Sequence, residues 1–218
     1  SQLQQETGWR VTSCEILLDQ SHTNTDESFG NIEITSKHGI TLFFGFTSST
    51  NKKIEKINPS CELLTTRKTF PFSKRFCIKA AFCGGAMPHR LNLSETVLFF
   101  EGHRILYKNN EEFYEDLKRI KTKIPEKKLN VESESFEDSI NLMKIGVDVI
   151  QLDKIDFEEL EKIITYKNEN YPFVKILVAG GINLTNIEKY ASYKIDGVVT
   201  SSVYNCGMAN ISSKLKII

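Results

Sequence analysis

The sequence has little that would direct the chain to a membrane, to nucleic acid or to secretion. None of its apolar runs approaches the roughly 20 residues that a membrane-spanning helix needs. Its 28 lysines and arginines equal its 28 aspartates and glutamates, so it has no excess of positive charge to attract nucleic acid or a membrane surface. The first residues, Ser1–Glu6, contain neither a basic nor an apolar segment, which predicts no signal peptide.

The five cysteines are odd in number, and none forms a Cys-x-x-Cys pair. This spacing argues against both a disulfide framework and a zinc site. A reducing compartment is then the default, and we expect a cytoplasmic protein. The hydrophobic content of 40% is enough for a sizeable core in a chain of 218 residues.

The first 44 residues differ in pattern from the rest of the chain. The polar stretch Gln20–Ser28 predicts a turn-rich segment. Asn31–Ser36 alternates apolar and polar residues, which predicts a half-buried strand, and Ile40–Phe43 predicts a second one. This is too little material for an independent domain.

From Ser48 onward, short apolar runs alternate with segments of helical character. The predicted strands are Glu62–Thr66, Thr96–Phe100, Lys128–Glu132, Asp148–Leu152, Lys175–Ala179 and Gly197–Ser201. The predicted helices are Phe72–Cys83, Glu111–Lys123, Phe136–Ile145, Phe157–Asn168 and Asn183–Ser192. Apolar strands separated by helices predict parallel pairing with both faces covered. Six such units predict an α/β barrel, with a doubly wound open sheet as the alternative.

Glycines and hydroxyl residues follow the last two predicted strands. In a parallel barrel the functional site lies where strands end and the following loops begin. Gly180 and Gly181 would let the backbone approach a ligand closely, and Asn183 is a candidate N-cap for the helix behind them. Ser201 and Ser202 follow the next strand and can add hydroxyl donors. Together these residues predict a phosphate cradle.

Charged residues follow the other strands. Arg67, Lys68, His89 and Arg90 come from neighbouring strand ends and would converge on a polyanionic ligand. Glu132 and Asp153 follow the third and fourth strands. These two carboxylates could hold Mg²⁺ partly through water, or hydrogen-bond ribose hydroxyls, and the structural alternative is an N-cap or a salt bridge to Lys154 or Arg90.

This series of motifs resembles the quinolinate phosphoribosyltransferase superfamily, the carboxylating nicotinate-nucleotide pyrophosphorylases. The matching segments are Thr66–Thr69, Gly84-Gly85 with His89-Arg90, Val131-Glu132, Gln151–Asp153 and Ala179–Asn183, in the family's order across roughly residues 45–218. Within that superfamily, Pro88–Leu98 is similar to the ModD group, pyrophosphorylases associated with molybdenum transport.

The resemblance implies a transfer at C1 of phosphoribosyl pyrophosphate (PRPP), in which pyrophosphate leaves and a nitrogen nucleophile attacks. It implies that Gly180, Gly181 and Ser201 hold the 5′-phosphate and that Lys68 meets the pyrophosphate. Glu132 and Asp153 would hold ribose hydroxyls and Mg²⁺. Arg67, His89 and Arg90 would bind an acidic acceptor. It also implies a homodimer, because the family's sites are completed by the partner subunit.

Two features depart from the family pattern. The quinolinate enzymes carry a lysine where this chain has Phe100, so a dianionic acceptor would be poorly neutralised and we expect an N-heterocyclic acceptor other than quinolinate. Residues 1–44 resemble only a remnant of the family's N-terminal sandwich domain, and the helix that lends an arginine to the partner has no counterpart before the barrel of residues 45–218.

Two hypotheses arise from these features. The first is a ModD-like pyrophosphorylase, a pentosyltransferase that uses PRPP, Mg²⁺ and an unidentified small-molecule acceptor. The second is a catalytically idle protein that binds a phosphosugar or nucleotide in molybdenum or cofactor homeostasis. The full set of charged residues favours the first, whereas Phe100 and the abbreviated N-terminal segment favour the second.

Overall fold

The structure, a computed structural model, describes residues 15–18, 41–69, 71–92, 94–204 and 211–214. The turn predicted at Gln20–Ser28 and the strand predicted at Asn31–Ser36 lie outside these ranges. In chain order the strands are β1 (Glu15–Leu18), β2 (Glu62–Thr65), β3 (Met87–Pro88), β4 (Thr96–Phe99), β5 (Lys128–Ser133), β6 (Val149–Asp153), β7 (Lys175–Ala179), β8 (Gly197–Thr200) and β9 (Ile211–Lys214). The helices are α1 (Thr41–Ile57), α2 (Lys74–Cys83), α3 (Glu101–Arg104), α4 (Asn110–Lys123), α5 (Phe136–Ile145), α6 (Phe157–Asn170) and α7 (Ile187–Ala191), and a 3₁₀ turn spans Ser202–Tyr204.

Seven strands form one parallel sheet in the order β3-β2-β8-β7-β6-β5-β4. The first and last barrel strands of the chain are thus brought together, with Leu64 opposite Val199 in the pairing of β2 with β8. Within the described ranges no backbone ladder joins β3 to β4, so the barrel is open along that seam. The prediction of a parallel α/β barrel with about six main strands is confirmed, and β3 is a two-residue addition to it.

The helices begin where the sequence supplies side-chain caps. Asn109, Ser135 and Asp156 each accept a hydrogen bond from the backbone N–H three residues later, at the starts of α4, α5 and α6. Acidic residues occupy the first turn of all three helices, where they complement the positive end of the helix dipole. At the other end of α5, Gly146 adopts the left-handed conformation with φ of 85°.

The core lies between the sheet and the surrounding helices. Phe113, Leu117, Ile150 and Leu160 are among its fully buried side chains. A separate small cluster of Leu64, Ala179 and Val199, with Leu177 packed against it, lies on the three adjacent strands β2, β8 and β7. Burial on both faces is what a parallel sheet covered by helices requires, and it explains the near-continuous apolar runs in the strands.

The strand predicted at Ile40–Phe43 is wrong for its described part, because Thr41–Phe43 open helix α1. A short apolar run cannot be assigned by periodicity alone, and here the run continues into a 17-residue helix. Helix α1 also crosses the predicted boundary between residues 44 and 45, and the division into two domains stays a prediction.

Strands β1 and β9 lie outside the barrel sheet. They pair antiparallel in a two-stranded sheet, in which Glu15 is opposite Lys214 and Leu18 is opposite Ile211. Of the helices in the part of the chain that the structure describes, none combines the length and the apolar character that crossing a bilayer requires.

Candidate active site

A cleft of about 650 Å³ opens at the carboxyl ends of the barrel strands. All nine residues predicted to bind or react with the substrate line it: Arg67, Lys68, His89, Arg90, Glu132, Asp153, Gly180, Gly181 and Ser201. The parallel sheet explains this convergence, because each strand delivers its following loop to the same end of the barrel. The geometry therefore brings the predicted residues together, while their individual roles stay predictions.

The floor of the cleft beside β7 is formed by two consecutive glycines in the left-handed region. Gly180 has φ of 86° and Gly181 has φ of 71°. A Cβ on Gly180 would lie 2.5 Å from Lys154 Cγ and 2.7 Å from Asp153 Oδ1, so a side chain does not fit there. A Cβ on Gly181 would meet nothing within 4 Å, so that position has room for a side chain.

Asn183 is not the N-cap that the sequence suggested. Its side-chain Oδ1 accepts hydrogen bonds from the backbone N of Thr185 at 2.9 Å and the hydroxyl of Thr185 at 2.6 Å, which forms a local turn. Helix α7 begins only at Ile187, after Asn186. Asn183 satisfies nearby donors within its own turn, so the glycine backbone is the feature that shapes the cradle.

Thr200, at the end of β8, joins the two loops of the cradle. Its buried hydroxyl donates to the Ile182 carbonyl at 2.6 Å, across to the loop that follows β7. The same oxygen accepts a hydrogen bond from the Ser202 backbone N at 3.0 Å. These bonds fix the backbone around Ser201, whose side chain lines the cleft.

We expect Gly180→Ala to destabilise the protein far more than Gly181→Ala. Both substitutions force an alanine to positive φ, which costs about 1–2 kcal/mol. Only the Gly180 change adds a collision with Asp153 and Lys154, for roughly 1–3 kcal/mol more. Urea unfolding of the two variants measures the difference, and equal losses of stability would contradict it.

Two arginines and a histidine line the cleft near the open seam. His89 follows β3, and its backbone N donates to the Thr65 carbonyl at 2.8 Å. Burial, followed by the charges of Arg90 and Arg67, lowers the pKa of His89 to about 4. Arg90 is only 7% exposed, and its guanidinium carbon lies 5.8 Å from the centre of the Phe100 ring. The imidazole is therefore neutral near pH 7, beside two guanidinium groups.

Asn130 supports His89 from the inside of the barrel, a role that the sequence motifs did not predict. Its Nδ2 lies 3.4 Å from His89 Nε2, while its Oδ1 is buried without a hydrogen-bond partner. The alternation of β5 places Asn130 and Glu132 on one face of the strand. That alternation is the signal by which Asn130 could have been found.

We expect the stability of the ligand-free protein to fall as the pH drops from about 6.5 to about 4. His89 in the unfolded chain titrates near the ordinary imidazole value of 6.5, whereas the folded protein holds its pKa at about 4. The unfolded state therefore binds the extra proton first in this window, which favours unfolding. Nuclear magnetic resonance of the imidazole gives the pKa directly, and His89→Gln should remove this part of the pH dependence.

Glu132 is held at the end of β5 by bonds from the first residue of α3, which follows β4, and from β6. Its Oε2 accepts from the Glu101 backbone N at 3.1 Å, and its Oε1 accepts from Gln151 Nε2 at 3.3 Å. Burial raises the pKa of Glu132, and the charge of Asp153 adds to the rise. Arg104 pairs with Asp138 and also donates to the Glu132 carbonyl at 2.9 Å, which fixes the strand end.

Gln151 is a second residue of the cleft for which the sequence motifs predicted no function. It is 4% exposed, lines the cleft and leaves its Oε1 without a partner.

The salt bridge to Lys154, which was predicted as a structural alternative for Asp153, is present in weak form, because Lys154 Nζ lies 3.9 Å from Asp153 Oδ2. An ion pair of that length, with the lysine side chain 78% exposed, contributes little stability.

The described residues contain no group of three or more His, Cys, Asp or Glu side chains arranged to hold a metal ion. Glu132 and Asp153 nevertheless lie in one cleft, close enough for the charge of Asp153 to raise the pKa of Glu132. Two carboxylates with substrate oxygens and water are what Mg²⁺ usually takes in proteins, so this pair fits that ion.

A match to a known protein family establishes the family to which this chain belongs. Residues 46–209 match the model of the quinolinate phosphoribosyl transferase C-terminal domain. The chain belongs to this family. The barrel, the glycine cradle and the facing cations and carboxylates described above all lie within the matched range.

Individual members of the quinolinate phosphoribosyl transferase family show the same relationship. A ModD protein of Pasteurella multocida, which carries the name of a pyrophosphorylase, is 30% identical over 162 residues, or 73% of this chain and 56% of that protein. A protein of Methanocaldococcus jannaschii, named for nicotinate-nucleotide pyrophosphorylase, is 29% identical over 209 residues and covers 84% of this chain and 72% of its own length. The chain thus spans only about half of the ModD protein.

Solved structures support the fold. The structure of NadC from Streptococcus pyogenes superposes with a TM-score of 0.70 at 24% identity and covers 82% of this chain and 61% of its own. The nicotinate-nucleotide pyrophosphorylase of Ehrlichia chaffeensis gives a TM-score of 0.71 at 18% identity and covers 81% of this chain and 62% of its own. At these identities the likeness establishes the architecture of the barrel.

Proposed function

We propose that the protein is a pentosyltransferase that transfers the phosphoribosyl group of PRPP to an N-heterocyclic acid other than quinolinate. One observation carries this proposal: a single cleft holds a glycine cradle, a cluster of cations and a pair of carboxylates. A phosphate ester, a pyrophosphate and a ribose carry groups complementary to each of these. The names of family members support the same class of reaction.

The donor would lie along the continuous part of the sheet. Gly180, Gly181 and Ser201 would hold the 5′-phosphate through backbone N–H groups and a hydroxyl. Glu132, already oriented by Glu101 and Gln151, would accept hydrogen bonds from ribose hydroxyls together with Asp153. Lys68, beside the end of β2, would meet the pyrophosphate.

The reaction breaks the bond between C1 of the ribose and the pyrophosphate oxygen, and that electron pair leaves with pyrophosphate. The ring nitrogen of the acceptor supplies the pair that forms the new bond to C1. Positive charge develops on the ribose between the two events, so the carboxylates of Glu132 and Asp153 stabilise it while Lys68 stabilises the leaving group. Most of the rate enhancement would come from this positioning and from preorganised charge.

Mg²⁺ would be held by Glu132 and Asp153 together with oxygens of the donor, partly through water. When bound, it neutralises negative charge on the donor. We therefore propose Mg²⁺ as the metal ion of this site, because the two carboxylates in the cleft suit this ion.

The acceptor would bind near the open seam, between Arg90 and Phe100. Arg67, His89 and Arg90 would bind one carboxylate of the acceptor. The His89 imidazole is neutral before that anion binds. The Phe100 ring is 36% exposed in the cleft and is held by stacking on His103 at 5.7 Å between ring centres. An aromatic acid with a single carboxylate and an apolar edge suits this half of the cleft better than a dianion.

The test is release of pyrophosphate from PRPP in the presence of Mg²⁺, with a series of aromatic N-heterocyclic acids and with quinolinate. We expect release with a monocarboxylate acceptor and little with quinolinate. Binding of PRPP without release for any acceptor would favour the alternative of a catalytically idle phosphosugar-binding protein. Light scattering in the same buffer tests the proposed homodimer.

A further inference from the structure

Lys154, the residue after Asp153, has an unusual backbone for its type. It is one of three described non-glycine residues with positive φ, at 53°, and its backbone N donates to the Ala179 carbonyl at 2.9 Å. Glycine or asparagine adopts this left-handed region more readily than lysine does. Strained backbone of this kind concentrates at functional sites, so the lysine side chain calls for an explanation.

The side chain of Lys154 lies along the glycine cradle. A Cβ on Gly180 would come within 2.5 Å of Lys154 Cγ, so this part of the lysine side chain packs next to Gly180. Lys154 also lines the cleft, and its ammonium group is 3.9 Å from Asp153 Oδ2 on a side chain that is 78% exposed. Lys154 thus occupies the space that a side chain on Gly180 would need.

The sheet order places Lys154 on the opposite side of the cradle from the predicted cations. The cradle lies at the ends of β7 and β8, and β6 is the neighbour of β7 away from β8. Arg67, Lys68, His89 and Arg90 follow β2 or β3, on the β8 side. Lys154 follows β6 and supplies positive charge to the cradle from the other side.

We infer that Lys154 binds the phosphate monoester held over Gly180 and Gly181, as a second charged wall of that subsite. This inference rests on the proposed function and adds to it a specific donor-binding residue. The lysine would donate to a phosphate oxygen while its stem shields the cradle from water. A contact between the ammonium group and the phosphate would account for a lysine with a strained backbone at this position.

The chain contains a matched control. Lys194 also has positive φ, at 54°, is exposed, and does not belong to the residues lining the cleft. Asparagine tolerates this backbone conformation, so Lys154→Asn and Lys194→Asn remove the same charge while relieving the same strain. A difference between the two variants in ligand binding therefore reports on the cleft and not on the backbone.

The experiment is calorimetric titration of the protein with ribose 5-phosphate and, separately, with pyrophosphate. We expect Lys154→Asn to weaken ribose 5-phosphate binding by about tenfold or more, the usual loss for a hydrogen bond to a charged group, while pyrophosphate binding changes little. Lys194→Asn should match the parent protein with both ligands. Lys154→Arg should recover most of the lost affinity, and thermal unfolding verifies that each variant is folded.

Three results would overturn the assignment: unchanged ribose 5-phosphate affinity in Lys154→Asn, an equal loss in Lys194→Asn, or a loss confined to pyrophosphate. Failure of the parent protein to bind ribose 5-phosphate would overturn it as well. The proposed function is judged separately by pyrophosphate release from PRPP. A parent protein that binds ribose 5-phosphate in a Lys154-dependent way but releases no pyrophosphate would keep the inference and refute the transferase.

Discussion

We expect Glu132→Gln to lower turnover by about 10²–10³-fold while raising the stability of the folded protein. In the proposed reaction the substitution removes the preorganised charge beside C1 of the donor, and the loss of such a group has an effect of that size in other enzymes. The gain in stability follows because a half-buried carboxylate near the charge of Asp153 is unfavourable, as the raised pKa of Glu132 indicates. Relief of such a strained site commonly contributes roughly 1 kcal/mol.

The hydrogen bonds around this position favour the substitution. A glutamine oxygen can still accept from the Glu101 backbone N. Its amide nitrogen can donate to Gln151 Oε1, which is buried without a partner at present, once the Gln151 amide rotates. The variant is therefore expected to keep both hydrogen bonds at position 132 and to fold, so its loss of activity reports on chemistry.

The sign of the pH dependence provides a second check on Glu132. A carboxyl whose pKa is raised in the folded state costs stability above that pKa, and the cost disappears as the pH falls to the ordinary value of 4.5. The stability difference between parent and Glu132→Gln should therefore shrink on acidification. A constant difference across this range would show that the carboxylate charge is not its source.

Glu134→Gln is the matched control. Glu134 lies two residues farther along, and burial together with the charge of Glu101 also raises its pKa, but it does not belong to the residues lining the cleft. We expect this variant to turn over at the parent rate. An equal loss of activity in both variants would mean that the reaction depends on negative charge near the end of β5 in general. It would not then depend on a specific contact between Glu132 and the donor.

The second large effect is expected from Phe100→Lys, which should raise quinolinate-dependent kcat/KM by about 10–100-fold. The new ammonium group would enter the half of the cleft that already contains Arg90 and would pair with the second carboxylate of quinolinate, a contact that the parent lacks. A charge-assisted hydrogen bond of about 1.5–3 kcal/mol corresponds to this factor. Pyrophosphate release with quinolinate as the acceptor measures it.

Phe100→Lys also has a cost, and Phe100→Leu separates the two effects. Losing the contacts of the ring with Arg90 and His103, and placing two cations together, should lower the stability of the ligand-free protein. Phe100→Leu loses the same ring contacts without adding charge, so quinolinate turnover should stay low in that variant. A comparable gain in both variants would show that space, and not charge, limits the acceptor.

The features that could be predicted from the sequence are those expressed by a local pattern. Glu132, Asp153 and Gly180 lie at or directly after the ends of apolar runs, and parallel pairing sends all strand ends to one cleft. Features that depend on a neighbour in space could not be predicted in the same way. Asn183 carries a residue type shared by N-caps and local turns, and only the position of Thr185 separates them. The helical state of Thr41–Phe43 likewise depends on the residues beyond the apolar run, with which it forms one long helix.

Two further features could not be predicted from the sequence pattern, for physical reasons: the strained backbone at Lys154 and the strand at Met87–Pro88. The left-handed backbone of a lysine has no compositional signal, since lysine is common in ordinary loops. Strand β3 has only two residues and includes a proline, which cannot donate to a ladder, so it has neither periodicity nor propensity. Its existence is decided by pairing with β2.

The open seam between β3 and β4 divides the site into a part with a fixed frame and a part with an adjustable one. Gly180, Ser201, Glu132 and Asp153 belong to or follow strands joined by an unbroken ladder, whose register no single loop can alter. Arg90 and Phe100 face each other across the seam, where no ladder joins β3 to β4 within the described residues. Evolution could therefore widen or narrow the proposed acceptor side without disturbing the proposed donor side, which would let one donor serve many different acceptors.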